Sequence, residues 1–196
     1  GTGETGVMEH RTTDELEAGA AEIARSPIGT GRLELIVRRP GLGEREVLGS
    51  AELDLAVGLV GDSWNQRSST RTSDGSPHPD MQLNIMNVRA VALIAGPPER
   101  WPLAGDQLYV DLHLGPDELP PGTRLRIGGA VVEITAIPHR GCAKFTRRFG
   151  LDAMRFVNSD VGLRLNARGI NAKVVVPGPI RTGDDIVTVD ALVAAD

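Results

Sequence analysis

The stretch DQLYVDLHL, residues 106–114, decides the predicted fold because apolar and polar side chains alternate along it. A period of two is typical of a β-strand with one buried face. Two further strands follow in PPGTRLRIGGAVVEITAI (120–137), joined at Gly128–Gly129, and NAKVVVPGPIRTGDDIVTVDALV (171–193) supplies two closing strands around a Pro/Gly turn. Short strands separated by Gly/Pro corners favour a closed or partly closed barrel over a βαβ sheet.

The first half of the chain adds helices to this pattern. TTDELEAGAAEIARSP (12–27) predicts a helix, because Thr12 with Glu15 fits a capping box and a proline follows its end. Strands are predicted at about 32–39 and 44–48, and a short helix between Asn87 and Gly96. The predicted fold class is therefore mixed β (α+β), a β-barrel with short helices inserted between its late strands. We divide the chain into an N-terminal tail and short helix (1–30) and a barrel domain (31–196).

Composition excludes several classes of protein. The chain has 196 residues, of which 40% are hydrophobic, 24% charged and 3% aromatic, as expected of a water-soluble domain whose core rests on aliphatic side chains. No apolar run approaches the ~20 residues of a membrane span, so no membrane partner is expected. One cysteine cannot form an internal disulfide, which favours a reducing cytoplasm. The opening GTGETGV (1–7) is left out of these arguments.

Positive charge is concentrated around the single cysteine. Between Arg140 and Lys173 eight cations face two acids, a net charge of +6, while the whole chain carries −5 and the remainder therefore −11. Such a segment is either a solvated helix face or a site for an anionic, phosphate-bearing ligand. The overall acidity argues against nucleic acid as a partner.

Cys142 lies in PHRGCAKFTRRFG (138–150), immediately before a predicted helical region that runs to about residue 166. Cations and a helix start lower the pKa of a thiol, and the thiolate is the form that binds soft metals or carries sulfur. His139 and Lys144 are the neighbours that would tune its ionisation. A small buried cysteine without chemistry is the alternative, as is a Cys–His nucleophile of the kind that thiol hydrolases use.

The remaining candidates have structural explanations beside functional ones. Phe145, Phe149 and Phe156 share one face of a continuous helix, which favours a core stripe over base stacking. Asp62 and Asp106 each follow a glycine, and turn formation is their default role. The polar loop at 65–79 is long for a compact domain, and such loops are either functional or disordered.

Several short motifs together resemble the MOSC domain, the C-terminal module of molybdenum cofactor sulfurases, in its stand-alone bacterial type. The matching stretches, in order, are GLVGDSW (58–64), MQLNIMN with ALIAG (81–96), LPPGTRLRIGGAVVEIT (119–135), PHRGCAKF (138–145) and GINAKVVVPGPIRTGDDI (169–186). The resemblance spans about residues 32 to 189. It implies a mixed β-barrel whose single cysteine, here Cys142, lies at the active site.

The resemblance also implies a chemistry. In that family the cysteine carries sulfur or ligates the molybdenum of a pterin cofactor, and some relatives reduce N-hydroxylated compounds. It therefore implies molybdenum cofactor (Mo-molybdopterin) as cofactor, Cys142 as metal ligand, a small-molecule substrate and an electron-donor or sulfur-donor protein. Candidate contacts to the cofactor are Arg140, Arg147, Arg148, Arg168 and Asp111.

One departure from the family pattern and one absent cofactor refine this expectation. Many members carry an Arg-Asn pair where this chain has LAGDQLYVDLHL (103–114), which indicates a divergent subgroup. Pyridoxal phosphate belongs to a desulfurase domain fused to some members, and we do not expect it to act in this chain. A non-catalytic carrier of a phosphorylated ligand and a thiol hydrolase remain as alternative functions.

Overall fold

The structure is a computed structural model that describes residues 9–189. Five α-helices occur in this part of the chain, and all are short. They are α1 (Thr13–Ala24), α2 (Val88–Ala95), α3 (Ala143–Phe149), α4 (Leu151–Val157) and α5 (Asp160–Leu165). Three 3-10 helices lie at Ser63–Gln66, Pro79–Met81 and Pro98–Ala104.

Eleven β-strands are present among the described residues. They are β1 (Thr30–Arg38), β2 (Glu46–Leu48), β3 (Ser50–Asp54), β4 (Gly58–Leu59), β5 (Leu83–Asn87), β6 (Leu108–Asp111), β7 (Arg124–Ile127), β8 (Ala130–Ile134), β9 (Ile170–Val176), β10 (Gly178–Arg181) and β11 (Asp185–Val189).

Seven of these strands close into a barrel. The sheet runs in the order β11-β7-β8-β9-β5-β6-β1, and β11 also pairs with β1, so the two edges meet. The closing contact is short, with Thr30 opposite Val187 and Arg32 opposite Asp185. All neighbours are antiparallel except β5 and β6. Closure removes the exposed edges that an open sheet of this size would present.

Two apolar clusters lie on either side of the barrel wall, and β6 contributes to both. Leu108 and Val110 belong to the barrel interior, whereas Tyr109 belongs to the cluster beneath the helices. This follows from the strand period of two. The strand is consequently buried on both faces rather than on one, and burial of this kind is the main favourable contribution to folding.

The mixed β-barrel with short helices between late strands is the fold that the sequence predicts, and several local predictions are confirmed with it. Thr12 and Glu15 form the reciprocal capping box of α1. The side chain of Asn87 accepts hydrogen bonds at the start of α2, and Gly96, with φ 79°, ends it. Gly128 forms the tight connection between β7 and β8. The proposed division at residue 30 stays a prediction.

Besides the exposure of β6, two local predictions are wrong. The closing segment holds three strands, because Pro177 marks a corner between β9 and β10 and the latter joins β3 and β4 in a separate sheet. The three phenylalanines are not on one helix, because Gly150, with φ 95°, ends α3 before Phe156 is reached. All three rings are nevertheless buried beneath the helices, as the core interpretation requires. Residues 1–7 and the end of the predicted last strand, 190–193, lie outside the described residues.

No helix within residues 9–189 combines the length and the apolar character that crossing a bilayer requires.

Candidate functional site

Cys142 lies at the rim of a cleft at one end of the barrel. The cleft has a volume of about 180 Å³ and is formed by segments from across the chain: the β1–β2 connection, the start of β5, the turn before β6, the stretch from β8 into α3, and the turn before β9. Its lining comprises six cations, Arg39, Arg45, Arg67, Lys144, Arg148 and Arg168, together with Cys142, His139, Asn84, Phe145, Leu42, Gly43, Ala104 and Gly105.

The thiol of Cys142 is exposed and precedes the first turn of α3, where its residue acts as the N-cap without a side-chain hydrogen bond. Partial burial raises the pKa of Cys142. The backbone N–H groups of Phe145 and Lys144 and the charges of Arg168 and Lys144 outweigh that effect, so the pKa lies below its ordinary value. The site therefore favours the thiolate.

Behind the thiol, Arg168 and Asp106 form a buried ion pair. Arg168 Nη1 donates to Asp106 Oδ1 at 2.7 Å, and Nη2 donates to the carbonyl of Ala104 at 3.0 Å. The guanidinium also lies 5.0 Å from the centroid of the Phe145 ring. Only 8% of the Arg168 side chain is exposed, and its Nε has no hydrogen-bond partner within residues 9–189. A buried guanidinium N–H that lacks an acceptor is a position at which a ligand oxygen would be stabilised.

His139 shares the carboxylate of Asp106 with Arg168. Its Nε2 lies 3.4 Å from Asp106. Because a carboxylate only accepts, we assign the imidazole proton to Nε2, which leaves Nδ1 as an acceptor. Burial and the charge of Arg168 lower the pKa of His139 more than Asp106 raises it. The imidazole is therefore neutral near pH 7, and it does not add positive charge beside the thiol.

A second buried ion pair, Arg39 with Asp62, supports the opposite wall. Arg39 Nε and Nη2 donate to the two carboxylate oxygens at 2.9 and 2.8 Å, and the backbone N–H of Arg39 donates to the same group at 2.8 Å. Gln107 Nε2 donates to Asp62 at 3.3 Å, and Gln107 Oε1 accepts from the backbone of Asn84. This network fixes the guanidinium of Arg39 and the start of β5 relative to each other.

The remaining cations are not neutralised. Arg45, Arg67, Lys144 and Arg148 form no ion pair with any carboxylate in the described part of the chain. Arg45 Nε and Arg148 Nη1 donate instead to the carbonyls of Pro102 and Leu103. Burial lowers the pKa of Arg45, as do the charges of Arg148 and Arg39. Like charges held this close indicate a site for an anion.

The structure brings five of the residues proposed from the sequence to the cleft: Cys142, His139, Lys144, Arg148 and Arg168. Arg140 and Arg147 are exposed and do not line it. Asp111 does not reach it either, because its carboxylate binds Arg89 at 2.9 Å and lines a groove elsewhere. The cleft lies at the start of β6, and Asp111 is the last residue of that strand.

Sequence arguments missed Arg39, Arg45, Arg67 and Asn84, which lie far from Cys142 along the chain. They also assigned Asp62 and Asp106 to turns, although both are buried carboxylates that hold cleft arginines. The one available signal was an apolar stretch beside each aspartate, GLVG before Asp62 and LYV shortly after Asp106, where an unpaired charge would be costly.

Comparison of the structure with solved structures identifies relatives of the same fold. The YuaD protein from Bacillus subtilis superposes with a TM-score of 0.61 at 19% identity, covering 82% of this chain and 96% of that one. YiiM from Escherichia coli gives a TM-score of 0.53 at 20% identity over 81% and 70% of the two chains. YiiM from Geobacillus stearothermophilus gives 0.50 at 14% identity over 82% and 73%. These neighbours are MOSC-domain proteins, and the likeness concerns the fold. No protein-family model and no curated protein matches the chain.

Proposed function

We propose that the cleft binds a molybdenum–pterin cofactor, with the Cys142 thiolate as a ligand to the metal and the surrounding cations around the anionic end of the pterin. The observation that carries the proposal is the junction of an exposed, thiolate-favouring cysteine with four cations that have no carboxylate partner in the described chain. The resemblance to the MOSC family and the shared barrel fold support the same cofactor.

The residue types fit the metal and phosphate ends of such a group, and the cleft, at about 180 Å³, has room for these ends and not for the whole cofactor. A thiolate is a soft donor of the kind that binds thiophilic metals. Clustered guanidinium groups match the fork geometry of phosphate oxygens. Arg168 lines the same cleft, and its buried Nε has no acceptor within residues 9–189. No group of three or more His, Cys, Asp and Glu side chains that could hold a metal is present within residues 9–189.

Each residue then has a distinct task. Cys142 would hold the metal, and Lys144 contributes to the lowered pKa of its thiol. Arg45, Arg67, Arg148 and Arg168 bind the phosphate and exclude cations, while Asp106 and Asp62 orient Arg168 and Arg39. His139 stays neutral and supports the carboxylate of Asp106 through Nε2. When bound, the cofactor supplies the redox chemistry, for which reduction of an N-hydroxylated small molecule is the leading candidate and sulfur transfer through Cys142 the second.

Two other functions have less support from the geometry. A thiol hydrolase needs a histidine that receives the thiol proton, yet the part of the chain that the structure describes shows no Cys142–His139 hydrogen bond, and the pKa of His139 lies below its ordinary value. A non-catalytic phosphate carrier would use the arginines but would leave the lowered thiol pKa without a role.

The experiment that tests the proposal measures molybdenum and pterin in protein purified from a host that makes the cofactor. We expect stoichiometric metal and pterin in the wild type, loss of metal in Cys142→Ala, and loss of both in an Arg45→Ala/Arg148→Ala double variant. Arg155→Ala, an exposed cation on α4, is the matched control and should bind as the wild type does.

Each contrary result points to a different function. If no variant contains metal and Cys142→Ala still contains pterin phosphate, the result would favour the non-catalytic phosphate carrier. The absence of both from the wild type would reject the proposal, and mass analysis of the Cys142 peptide would then test for bound sulfur.

A further inference from the structure

A second cavity adjoins the cleft and differs from it in character. It has a volume of about 150 Å³, and its wall contains the indole of Trp64, the ring of Pro77 and the thioether of Met81. It shares Arg39, Arg67 and Asn84 with the cleft, so the two spaces meet at these three side chains. We call it the side pocket.

We propose that the side pocket is the substrate subsite, and that it takes a single planar aromatic or heteroaromatic ring whose acceptor-bearing substituent points past Arg67 and Asn84 toward Cys142. The inference rests on the proposed function, since it assigns the substrate of that same site. The cation cluster by itself does not imply this subsite, because Trp64, Pro77 and Met81 line the side pocket and not the cleft.

The size and apolar wall of the side pocket limit what can enter. A cavity of ~150 Å³ is large enough for one benzene-sized ring. Trp64, Pro77 and Met81 are each half-buried, so their faces are available to a ligand rather than consumed by the core. Indole and thioether groups both favour contact with a flat π-system over an alkyl chain of the same volume.

The polar groups of the side pocket are mainly donors. His78 Nδ1 accepts the backbone N–H of Asp80 at 3.1 Å, so in the neutral imidazole the proton lies on Nε2 and that atom donates. Arg67 adds donors at the boundary with the cleft, whereas the amide nitrogen of Asn84 already donates to Asn171 Oδ1 at 2.6 Å. No carboxylate from the described residues lines the side pocket. A ligand is therefore expected to carry acceptors such as a carboxylate, carbonyl or ring nitrogen, and a cation is disfavoured.

The loop at 65–79 forms part of the wall of the side pocket. Between the 3-10 helices Ser63–Gln66 and Pro79–Met81 it carries Arg67, Pro77 and His78 to the side pocket. Hydrogen bonds within the loop hold its shape, among them Ser69 N to the carbonyl of Gly75 at 3.1 Å and Thr72 Oγ1 to the carbonyl of Ser76 at 2.7 Å. The loop is thus an ordered part of the site. The side pocket would bind the ring of the substrate, and the cleft would bind the anion.

The chain has two tryptophans, Trp64 and Trp101, which makes a direct test possible. Full-length protein labelled with 5-fluorotryptophan gives two 19F resonances, assigned with Trp64→Phe. Titration with benzoate should shift the Trp64 resonance and leave that of Trp101 unmoved. Acetate, which has the same charge and no ring, should shift neither at the same concentration.

Variants locate the bound ring. Arg67→Ala should weaken benzoate binding about tenfold, the size expected for loss of a charge-assisted hydrogen bond. Arg71→Ala removes an exposed cation of the same loop that does not line the side pocket, and should bind benzoate unchanged. Met81→Ala should also weaken binding, with the unperturbed Trp101 resonance reporting that the fold is intact.

The outcomes separate this inference from the proposed function. Protection of Cys142 from iodoacetamide by pyrophosphate reports anion binding beside Cys142, which lines the cleft and not the side pocket. If pyrophosphate protects while benzoate leaves the Trp64 resonance in place, or acts on Arg67→Ala as on the wild type, the subsite is rejected and the cleft proposal stands. If benzoate shifts Trp64 as expected while pyrophosphate gives no protection, the side pocket stands and the cofactor assignment fails.

Discussion

Arg168 Nη1 donates a hydrogen bond to Asp106 Oδ1 at 2.7 Å, yet the buried Nε of the same guanidinium has no hydrogen-bond partner within residues 9–189. The carboxylate neutralises the cation without using all its donors. The pair therefore stabilises the wall of the cleft and leaves one N–H for a ligand. Four further cations without carboxylate partners in the described chain lie around the same space.

Breaking this pair should destabilise the protein more than removing it altogether. Asp106→Asn leaves the Arg168 charge buried without a counter-charge and should lower the free energy of unfolding by about 3 kcal/mol. In the double variant Asp106→Leu/Arg168→Met we expect most of that loss to be recovered, because no charge remains to be solvated. Urea unfolding of the three proteins measures the difference. A single variant within about 1 kcal/mol of the wild type would contradict the buried-pair description.

Acid should remove the stabilising contribution of Asp62. Burial raises the pKa of this carboxyl. The hydrogen bonds and charge of Arg39 lower the pKa by a larger amount, so it lies below its ordinary value. The folded protein therefore binds the proton less tightly than the unfolded chain, so the stabilisation is complete above ~pH 4 and is lost as the pH falls through the folded pKa.

The measurement compares Asp62→Asn with the wild type by urea unfolding between neutral and acidic pH. The gap in stability between them should be largest at neutral pH and should narrow as the pH falls below the ordinary aspartate pKa. Asp117→Asn, at an exposed position, should show almost no gap at either pH. A gap for Asp62→Asn that widened on acidification would mean that the sign of the pKa shift is wrong.

Alkylation should reveal the lowered pKa of Cys142. In metal-free protein the rate of iodoacetamide reaction should reach half its maximum below the ~8.5 of an unperturbed thiol. The same chain in urea provides the reference, since unfolding removes the neighbouring N–H groups and charges. Lys144→Gln should move the midpoint upward because Lys144 is one of the groups that lower this pKa, and Arg155→Gln should not. Equal midpoints in the folded and unfolded protein would remove the thiolate argument.

Gly169, between Arg168 and β9, has no room for a side chain. Its φ is 118°, and a Cβ atom would come within 2.5 Å of the Ile85 carbonyl oxygen and 2.8 Å of Asp106 Oδ2. Gly169→Ala should therefore cost more than about 2 kcal/mol and displace Asp106, with weaker pyrophosphate binding as a second readout. Gly183→Ala is the control, because its φ is 94° and no described atom lies within 4 Å of the place that its methyl group would take. Equal losses in the two variants would show that backbone strain alone is responsible.

The periodicity of the chain was sufficient to predict a barrel, because burial imposes a period of two on every strand that lines a core. The capping box at Thr12 and the positive-φ glycine after α2 were equally local, and both are present. Burial of β6 on both faces was not a local property. Tyr109 is buried by helices that lie far away in sequence, so alternation of polarity alone gave the wrong exposure.

At the site, local charge identified three of the six cleft cations, namely Lys144, Arg148 and Arg168. It also proposed Arg140 and Arg147, which belong to the same run of sequence but do not line the cleft. Helix phase decides between neighbours such as Arg147 and Arg148, both of which lie on α3.

The sequence by itself determined the barrel class, the helix caps and the basic environment of Cys142, because these depend on the order of side chains over a few residues. Only the tertiary structure decided that Arg39, Arg45 and Arg67 complete the cation cluster, that Asp62 and Asp106 are buried counter-ions, and that Asp111 faces elsewhere. The physical reason is barrel closure. Pairing β1 with β11 and β5 with β9 joins segments that lie far apart along the chain, and no local pattern encodes which charges then meet.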